Sequence, residues 1–298
     1  MRQQVSLLPD RRRLHLQDGP IDLIIEAFAG SAEVKAAYDA AITRFQTVLD
    51  QLCSELSLLR MPAGTDTPMP KGTIARRMAL AVRPYAEGTF ITPMAAVAGA
   101  VAEEILEAMT AAAKLSKAYV NDGGDIALHL APGEQFVVGM IDLPDRPSLF
   151  GRAILGSSDP VRGIATSGWP GRSFSLGIAD AVTVLARNAA MADAAATVIA
   201  NAVDLPGHPE VHRASARSIA PDSDLGDRLV TRFVGELSAE DILSALNQGA
   251  GVSEQLSSEG LIDSAALLLQ GETRIVTRND FVTSVAGNRE PPRSLAHA

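Results

Sequence analysis

Cysteine is almost missing from this chain: Cys53 stands alone among 298 residues. A single cysteine excludes an internal disulfide and any multi-cysteine metal site, and its apolar-periodic surroundings place it in the core. Aromatic residues are sparse at 4%, with Trp169 the one tryptophan, so few side chains could stack on a planar ligand. The five histidines (15, 129, 208, 212 and 297) are scattered. His208 and His212 are four apart, but Pro209 between them breaks the helix that a zinc-binding pair needs, leaving only a loop metal site open to them. Positive charge is also short, 26 Lys and Arg against 35 Asp and Glu for a net of −9, which argues against nucleic acid as a partner because phosphate neutralisation needs clustered cations. The one basic run, Arg11-Arg12-Arg13, reads as the solvated start of a strand.

Long apolar runs are lacking too. No stretch of roughly 18 strongly apolar residues escapes a charge, as a membrane span requires. The N-terminus, MRQQVSLLPDRRR, has neither the apolar segment nor the small-residue cleavage site of a signal peptide. A cytoplasmic protein without membrane contact is the expectation. With no Gly-x-x-x-x-Gly-Lys-Ser/Thr sequence, a P-loop is excluded.

What is present is an ordinary globular composition, 47% hydrophobic and 20% charged, in a chain long enough to bury a sizeable core. Two alternating runs flank Asp18-Gly19-Pro20 and predict a hairpin. A long helix is expected over 32–59, followed by a Pro-, Gly- and Thr-rich linker over 61–72. The segment TIARRMALAVRPY reads as helical. After it comes PMAAVAGAVAEEILEAM, a small-residue helix with Thr92 placed to cap it and Pro93 at its first position. From 117 to 186 the pattern turns to short strands: KAYV, DIALHL, QFVVGMID, GRAILG, VRGIATSG and DAVTVLA. The remainder reads as a polar loop and a second helical region, opened by Ser238-Ala239-Glu240-Asp241, which resembles a capping box. Runs of helices beside a block of strands indicate α+β layers. The expected divisions are an N-terminal hairpin and helix (1–60), a core (73–204), a helical C-terminal region packing on that core (205–285) and a disordered tail (286–298), the whole forming one compact unit.

Three segments could carry chemistry. In Tyr119-Val-Asn-Asp-Gly-Gly-Asp a strand runs into Gly123-Gly124 and out again. The two glycines could admit a phosphate to bare backbone or simply make a tight hairpin. In Gly163-Ile-Ala-Thr-Ser-Gly-Trp169 a strand ends in Thr166, Ser167 and Gly168, which could bond a phosphate, and in Trp169, which could stack on a ring; a plain turn with a packed tryptophan is the other reading. Tyr85 and Tyr119 are further candidates for the ring. In NAAMADAAATVIANAV the carboxylate of Asp193 sits among alanines, an expensive place for a charge without a partner. If Asn188 caps this helix, Asp193 and Thr197 stack on one face and could both reach a hard cation. Alternatively Asp193 is itself the cap and Thr197 bonds back to a carbonyl.

Taken in order, Asn121-x-Gly123-Gly124-Asp125-Ile126, then Ala165 to Gly168, then Val182 to Val184 followed by Ala189, Ala192 to Ala194 and Thr197, resemble the core of the ApbE superfamily of flavin transferases. The resemblance covers roughly residues 85–203. It is closer still to an ApbE-like branch that lacks part of the transferase pattern: WPGRSFSLGIAD stands where the transferases carry a longer insert with a His-x-x-Asp-Pro segment, and Val97-Ala98-Gly99-Ala100 lacks the lysine of their K-G-Y. The resemblance implies an α+β, T-fold-related architecture and bound FAD or FMN, with Asn121, Gly123, Gly124, Thr166, Ser167, Gly168 and Trp169 around it. It implies Mg²⁺ held by Asp193 and Thr197, and transfer of FMN from FAD to a Ser or Thr of an acceptor flavoprotein with release of AMP. With the histidine segment missing, Asp180 and then Asp125 are the candidate catalytic bases. A flavin- or ligand-binding accessory protein without transferase activity is the alternative, and a homodimer is left open.

Overall fold

The computed structural model describes residues 3–141, 149–278 and 282–284. Asp142, which closes one expected strand, and the expected tail at 286–298 lie outside the described residues. Strands β1 (Gln3–Leu7), β2 (Leu14–Asp18) and β3 (Ile21–Phe28) form a meander, with Asp18 facing Ile21 across the expected Gly19-Pro20 turn. The helix expected over 32–59 is three: α1 (Ser31–Phe45), α2 (Val48–Ser54) and α3 (Leu56–Leu59). The breaks reset the apolar face, so that Val48 and Leu52 turn inward on α2 while Cys53, expected in the core, is exposed.

After the linker come α4 (Thr73–Val82) and α5 (Val97–Ala112). A 3-10 turn, Pro93–Ala96, leads into α5, and the Thr92 hydroxyl accepts from the Met94 N–H at 3.2 Å. The expected strands form as β4 (Lys117–Asp122), β5 (Asp125–Leu130), β6 (Gln135–Ile141), β7 (Leu149–Gly156), β8 (Gly163–Ser167) and β9 (Ala181–Ala186), followed by α6 (Ala189–Ala202).

The C-terminal third differs from the helical region expected. It holds β10 (Val211–Ser215), α7 (Ala216–Ile219), β11 (Leu229–Val234), α8 (Ala239–Ser258), β12 (Ser264–Leu269), β13 (Glu272–Thr277) and β14 (Val282–Ser284). Strand β12, SAALLL, is buried along its whole length and shows no alternation, so its period is hidden in the sequence. The start of α8 is as expected: the Asp241 N–H donates to the Ser238 hydroxyl oxygen at 3.2 Å.

Nine strands pair in the order β1-β2-β3-β4-β5-β8-β9-β12-β13, every neighbour antiparallel. On one face Val120, Ala127, Ala165 and Val184 join a core with the helices. On the other, Leu128, Ile164, Leu185 and Ala266 pack against Ala153 and Leu155 of a three-stranded sheet, β14-β7-β6. This is an α+β layered fold. Because each neighbour runs antiparallel, the β2–β3 turn, the Gly123-Gly124 turn, the end of β8, the start of β9 and the β12–β13 turn all fall at one edge of the large sheet.

Helix α6 approaches its neighbours backbone to backbone. A Cβ on Gly163 would lie 2.0 Å from the Asn188 carbonyl carbon, and one on Gly99 would lie 2.3 Å from the Ala189 oxygen. Only small residues permit this, which accounts for the alanines of α6 and the small half of α5.

Candidate functional site

Asn188 caps α6, its Oδ1 accepting from the Met191 N–H at 2.8 Å. Asp193 is therefore in the second turn, and it does not cap its own helix. Its Oδ2 accepts from the Gly99 N–H at 3.0 Å, and the Ala98 N–H also faces it. These are donors of the first turn of α5, which has no side-chain cap of its own. Glu103 of α5 returns the favour, its Oε1 accepting from the Ala190 N–H of α6 at 2.7 Å. The two helices thus cross at Gly99 and exchange carboxylates, each satisfying donors the other leaves open. Thr197, one turn beyond Asp193, is half-buried and makes no side-chain hydrogen bond among the described residues. The alternative in which Thr197 bonds back to a carbonyl does not occur.

Asp125 opens β5 on the same face of the sheet as Ala127, toward the helices. Its Oδ1 accepts from the Thr166 N–H at 3.1 Å, and its other oxygen makes no hydrogen bond among the described residues. Burial, then the charge of Asp193, hold its carboxyl well above the ordinary carboxylate range. Burial pushes Asp193 up to about 7 against the pull of the Gly99 N–H, and the charge of Asp122 adds to the rise. Asp122, 7% exposed and next to the glycine turn, is likewise pushed up to about 7 by burial. The charges of Asp193 and Asp122 thus each bear on a neighbouring carboxyl near the N-terminus of α5.

The turn between them is built for the hairpin. Gly123 and Gly124 both have positive φ, 64° and 117°, between the paired residues Asp122 and Asp125, as a type I′ turn requires. Asn121 closes it, its Oδ1 accepting from the Gly124 N–H at 2.8 Å. Arg172 lies over this turn, 3.7 Å from where a Gly123 Cβ would stand, and its charge pulls the Asp122 pKa back down.

The second segment divides between the two faces. Thr166 alternates with Ala165 and turns its hydroxyl to Thr183 at 2.9 Å, on the face away from Asp193; only its backbone N–H joins the carboxyls. Ser167 pairs with Val182 at the sheet edge. Gly168 is required by β9, since a Cβ there would stand 2.3 Å from the Asp180 oxygen. The Trp169 indole N–H donates to Asp180 Oδ1 at 3.2 Å, fixing the ring at that edge. Asp180 also accepts from the Gln270 N–H at 2.6 Å, so both its oxygens hold structure. Gln270 has φ +46 in the β12–β13 turn and is pinned further by Gly235 and Leu237.

Tyr119 points to the other face, edge-on to Phe136, with its hydroxyl donating to Glu26 at 3.3 Å. Tyr85 is buried in the helical core, where burial pushes its phenol up. His208 lies 3.5 Å from Asp241 and His212 stacks on Phe233, so they do not converge. Among the described residues no three His, Cys, Asp or Glu side chains form a metal cage.

Glu103, Asp122, Arg172 and Gln270 were not singled out in the sequence. Asp122 was legible there: Ala118, Val120 and Asp122 alternate onto the core face of β4.

A family model described as "AbpE bacteria" matches residues 5–275. A UPF0280 protein of Methanopyrus kandleri is 43% identical over 129 residues, 43% of this chain and 48% of that protein. One from Methanosphaerula palustris is 35% identical over 182 residues, 58% of this chain and 70% of that protein. The match thus spans about half the length of the first of these relatives and more of the second. The apo form of the Pseudomonas stutzeri flavinyl transferase ApbE superposes with a TM-score of 0.46 at 12% identity, over 95% of each chain. No helix among the described residues is long and apolar enough to cross a membrane. With more than half of its length matched by the family model, the chain belongs to the ApbE-like family described as AbpE bacteria.

Proposed function

We propose that the chain binds FAD or FMN, or a related nucleotide, with Mg²⁺ at the sheet edge, and transfers FMN from FAD to a Ser or Thr of an acceptor flavoprotein. The observation that carries this reading is the buried Asp193, anchored on the Gly99 N–H with the unengaged Thr197 hydroxyl one turn above it, its charge felt by Asp125. Burial and the charge of Asp193 push Asp125 up, and burial and the charge of Asp122 push Asp193 up, so this cluster is costly to ionise and a hard cation at Asp193 would offset that cost. The donor set fits Mg²⁺, which takes oxygen ligands and is commonly held by one or two carboxylates, with water and substrate phosphates completing its shell. Asp193, with the unengaged Thr197 hydroxyl above it, would hold the ion. When bound, it would neutralise charge developing on the phosphate.

The residues of the chain supply the rest. Asp125 feels the charge of Asp193 and has one unengaged oxygen; a cation that neutralised Asp193 would favour its ionised form, which would then serve as the proton acceptor. The acceptor hydroxyl attacks the FMN phosphorus of FAD and its proton passes to Asp125. The phosphoanhydride bond breaks, and AMP leaves with the bonding pair. Trp169, held through its indole N–H by Asp180, would offer the flat apolar surface an isoalloxazine ring needs.

One observation favours a second reading, a flavin-binding accessory protein without turnover: both oxygens of Asp180 are committed to Trp169 and Gln270, which removes the nearest substitute for the missing histidine segment. Incubation with FAD and Mg²⁺ separates the two. Mg²⁺-dependent AMP release that disappears in Asp193→Asn and falls at least about tenfold in Asp125→Asn supports the transferase. Tight FAD binding with no AMP from any variant supports the binder.

A further inference from the structure

Away from the sheet edge, α4, α5 and the first turn of α6 enclose an open cleft of about 570 Å³. Lys71, Thr73, Arg76, Leu80 and Met191 line it, with Arg77 and Glu103. None of Asp122, Asp125 and Asp193 lines it.

Its charges are unevenly matched. Arg77 is committed to Glu103, Glu104 and Glu107, at 3.0, 3.1 and 2.7 Å. The side chains of Lys71 and Arg76 have no hydrogen bond or ion pair among the described residues. Glu55 spends its carboxylate on the backbone N–H groups of Lys71 and Gly72, both at 2.7 Å. That contact fixes the entry to α4 and so the placement of Lys71, Thr73 and Arg76. On a chain of net charge −9, two unmatched cations share a cleft with an exposed threonine hydroxyl and an apolar surface that includes Leu80, itself 52% exposed.

We propose that this cleft is a second binding site, for a small molecule that bears a phosphate group on an apolar frame. Lys71 and Arg76 take the phosphate, Thr73 donates to it, and Leu80 and Met191 cover the carbon part. The volume suits a ligand of that size, since small-molecule sites run roughly 300–1,000 Å³. Two unpaired cations match the two charges of a phosphate, whereas a carboxylate satisfies only one, and Arg adds a forked donor geometry suited to phosphate oxygens.

Calorimetric titration with phenyl phosphate, in buffer containing EDTA and no divalent cation, tests the site apart from the function proposed above. Saturable binding of one equivalent is expected, weakened at least about tenfold in the double variant Lys71→Ala/Arg76→Ala and unchanged in Asp193→Asn. Both replaced side chains are exposed, and circular dichroism should confirm an unchanged fold. Benzoate should bind at least about tenfold more weakly than phenyl phosphate. No saturable binding, equal affinity in the double variant, loss in Asp193→Asn, or equal affinity for benzoate would each overturn the assignment.

Discussion

Replacing Asp122 by asparagine should make the protein more stable at neutral pH. Asp122 is 7% exposed on the helix-facing side of β4, and burial holds its carboxyl at about 7 against an ordinary 3.8, with the Asp22 N–H and the Arg172 charge pulling the other way. Between those two values the folded protein keeps a proton that the unfolded chain has released. The contribution of this group is therefore complete below the unfolded value and is lost as pH rises through the folded one. The slope is about 1.4 kcal/mol per pH unit, so roughly 4 kcal/mol is lost across the gap. Asparagine keeps an oxygen to accept from the Asp22 N–H and carries no charge to desolvate. Urea unfolding at about pH 4, 5.5 and 7.5 in EDTA should show the variant equal to the parent at the lowest pH. It should be more stable at the highest, by up to about 4 kcal/mol. Parallel pH profiles for the two proteins, or a variant less stable at about pH 7.5, would refute the reasoning.

The other expectations follow from the same geometry. Gly99→Ala puts a Cβ 2.3 Å from a backbone oxygen that cannot move aside, so α5 and α6 must part; chemical denaturation should show a loss of about 1–3 kcal/mol or more. At about pH 5, below the raised Asp193 value, Asp193→Ala should cost about 1–2 kcal/mol as a lost cap, whereas Asp193→Asn, which keeps an acceptor for the Gly99 N–H and carries no charge to desolvate, should cost little there and be the more stable protein at about pH 7.5. Asp180→Ala leaves the Gln270 N–H and the Trp169 indole without their acceptor and should destabilise by about 1–3 kcal/mol; a change in tryptophan fluorescence should accompany it. Binding of FAD should quench Trp169 fluorescence in the parent, and titration without quenching would remove the ring from that edge.

The sequence makes the layers legible where its periods are clean. Alternation in LHLQD and IDLII around a Gly-Pro turn yields β2 and β3, and the Thr92-Pro93 and Ser238 signals mark true helix starts. It fails where burial is complete on both faces, as in β12, or where a break shifts the helical phase, as at Gln46–Thr47 before Cys53. Of the site, the order of the Gly-Gly turn, the β8 end and the α6 helix is visible. That Asp193 reaches across to the first turn of α5 is not, because Ala98 and Gly99 contribute only backbone, which carries no side-chain signature. The same holds for Gly168, which reads as a phosphate contact until the approach of β9 is seen. Trp169 and Asp180, eleven residues apart, meet only through the pairing of β8 with β9.

The central claim is that Asp193, with Thr197, receives a divalent cation together with a flavin phosphate. Calorimetric titration of FAD with and without Mg²⁺, in the parent and in Asp193→Asn, tests it most directly. Affinity for FAD should rise at least about tenfold with Mg²⁺ in the parent and should not respond to Mg²⁺ in the variant. Equal FAD affinity with and without Mg²⁺ in the parent, or an undiminished Mg²⁺ response in Asp193→Asn, would contradict it and leave the Asp193 carboxylate as the cap of α5 alone.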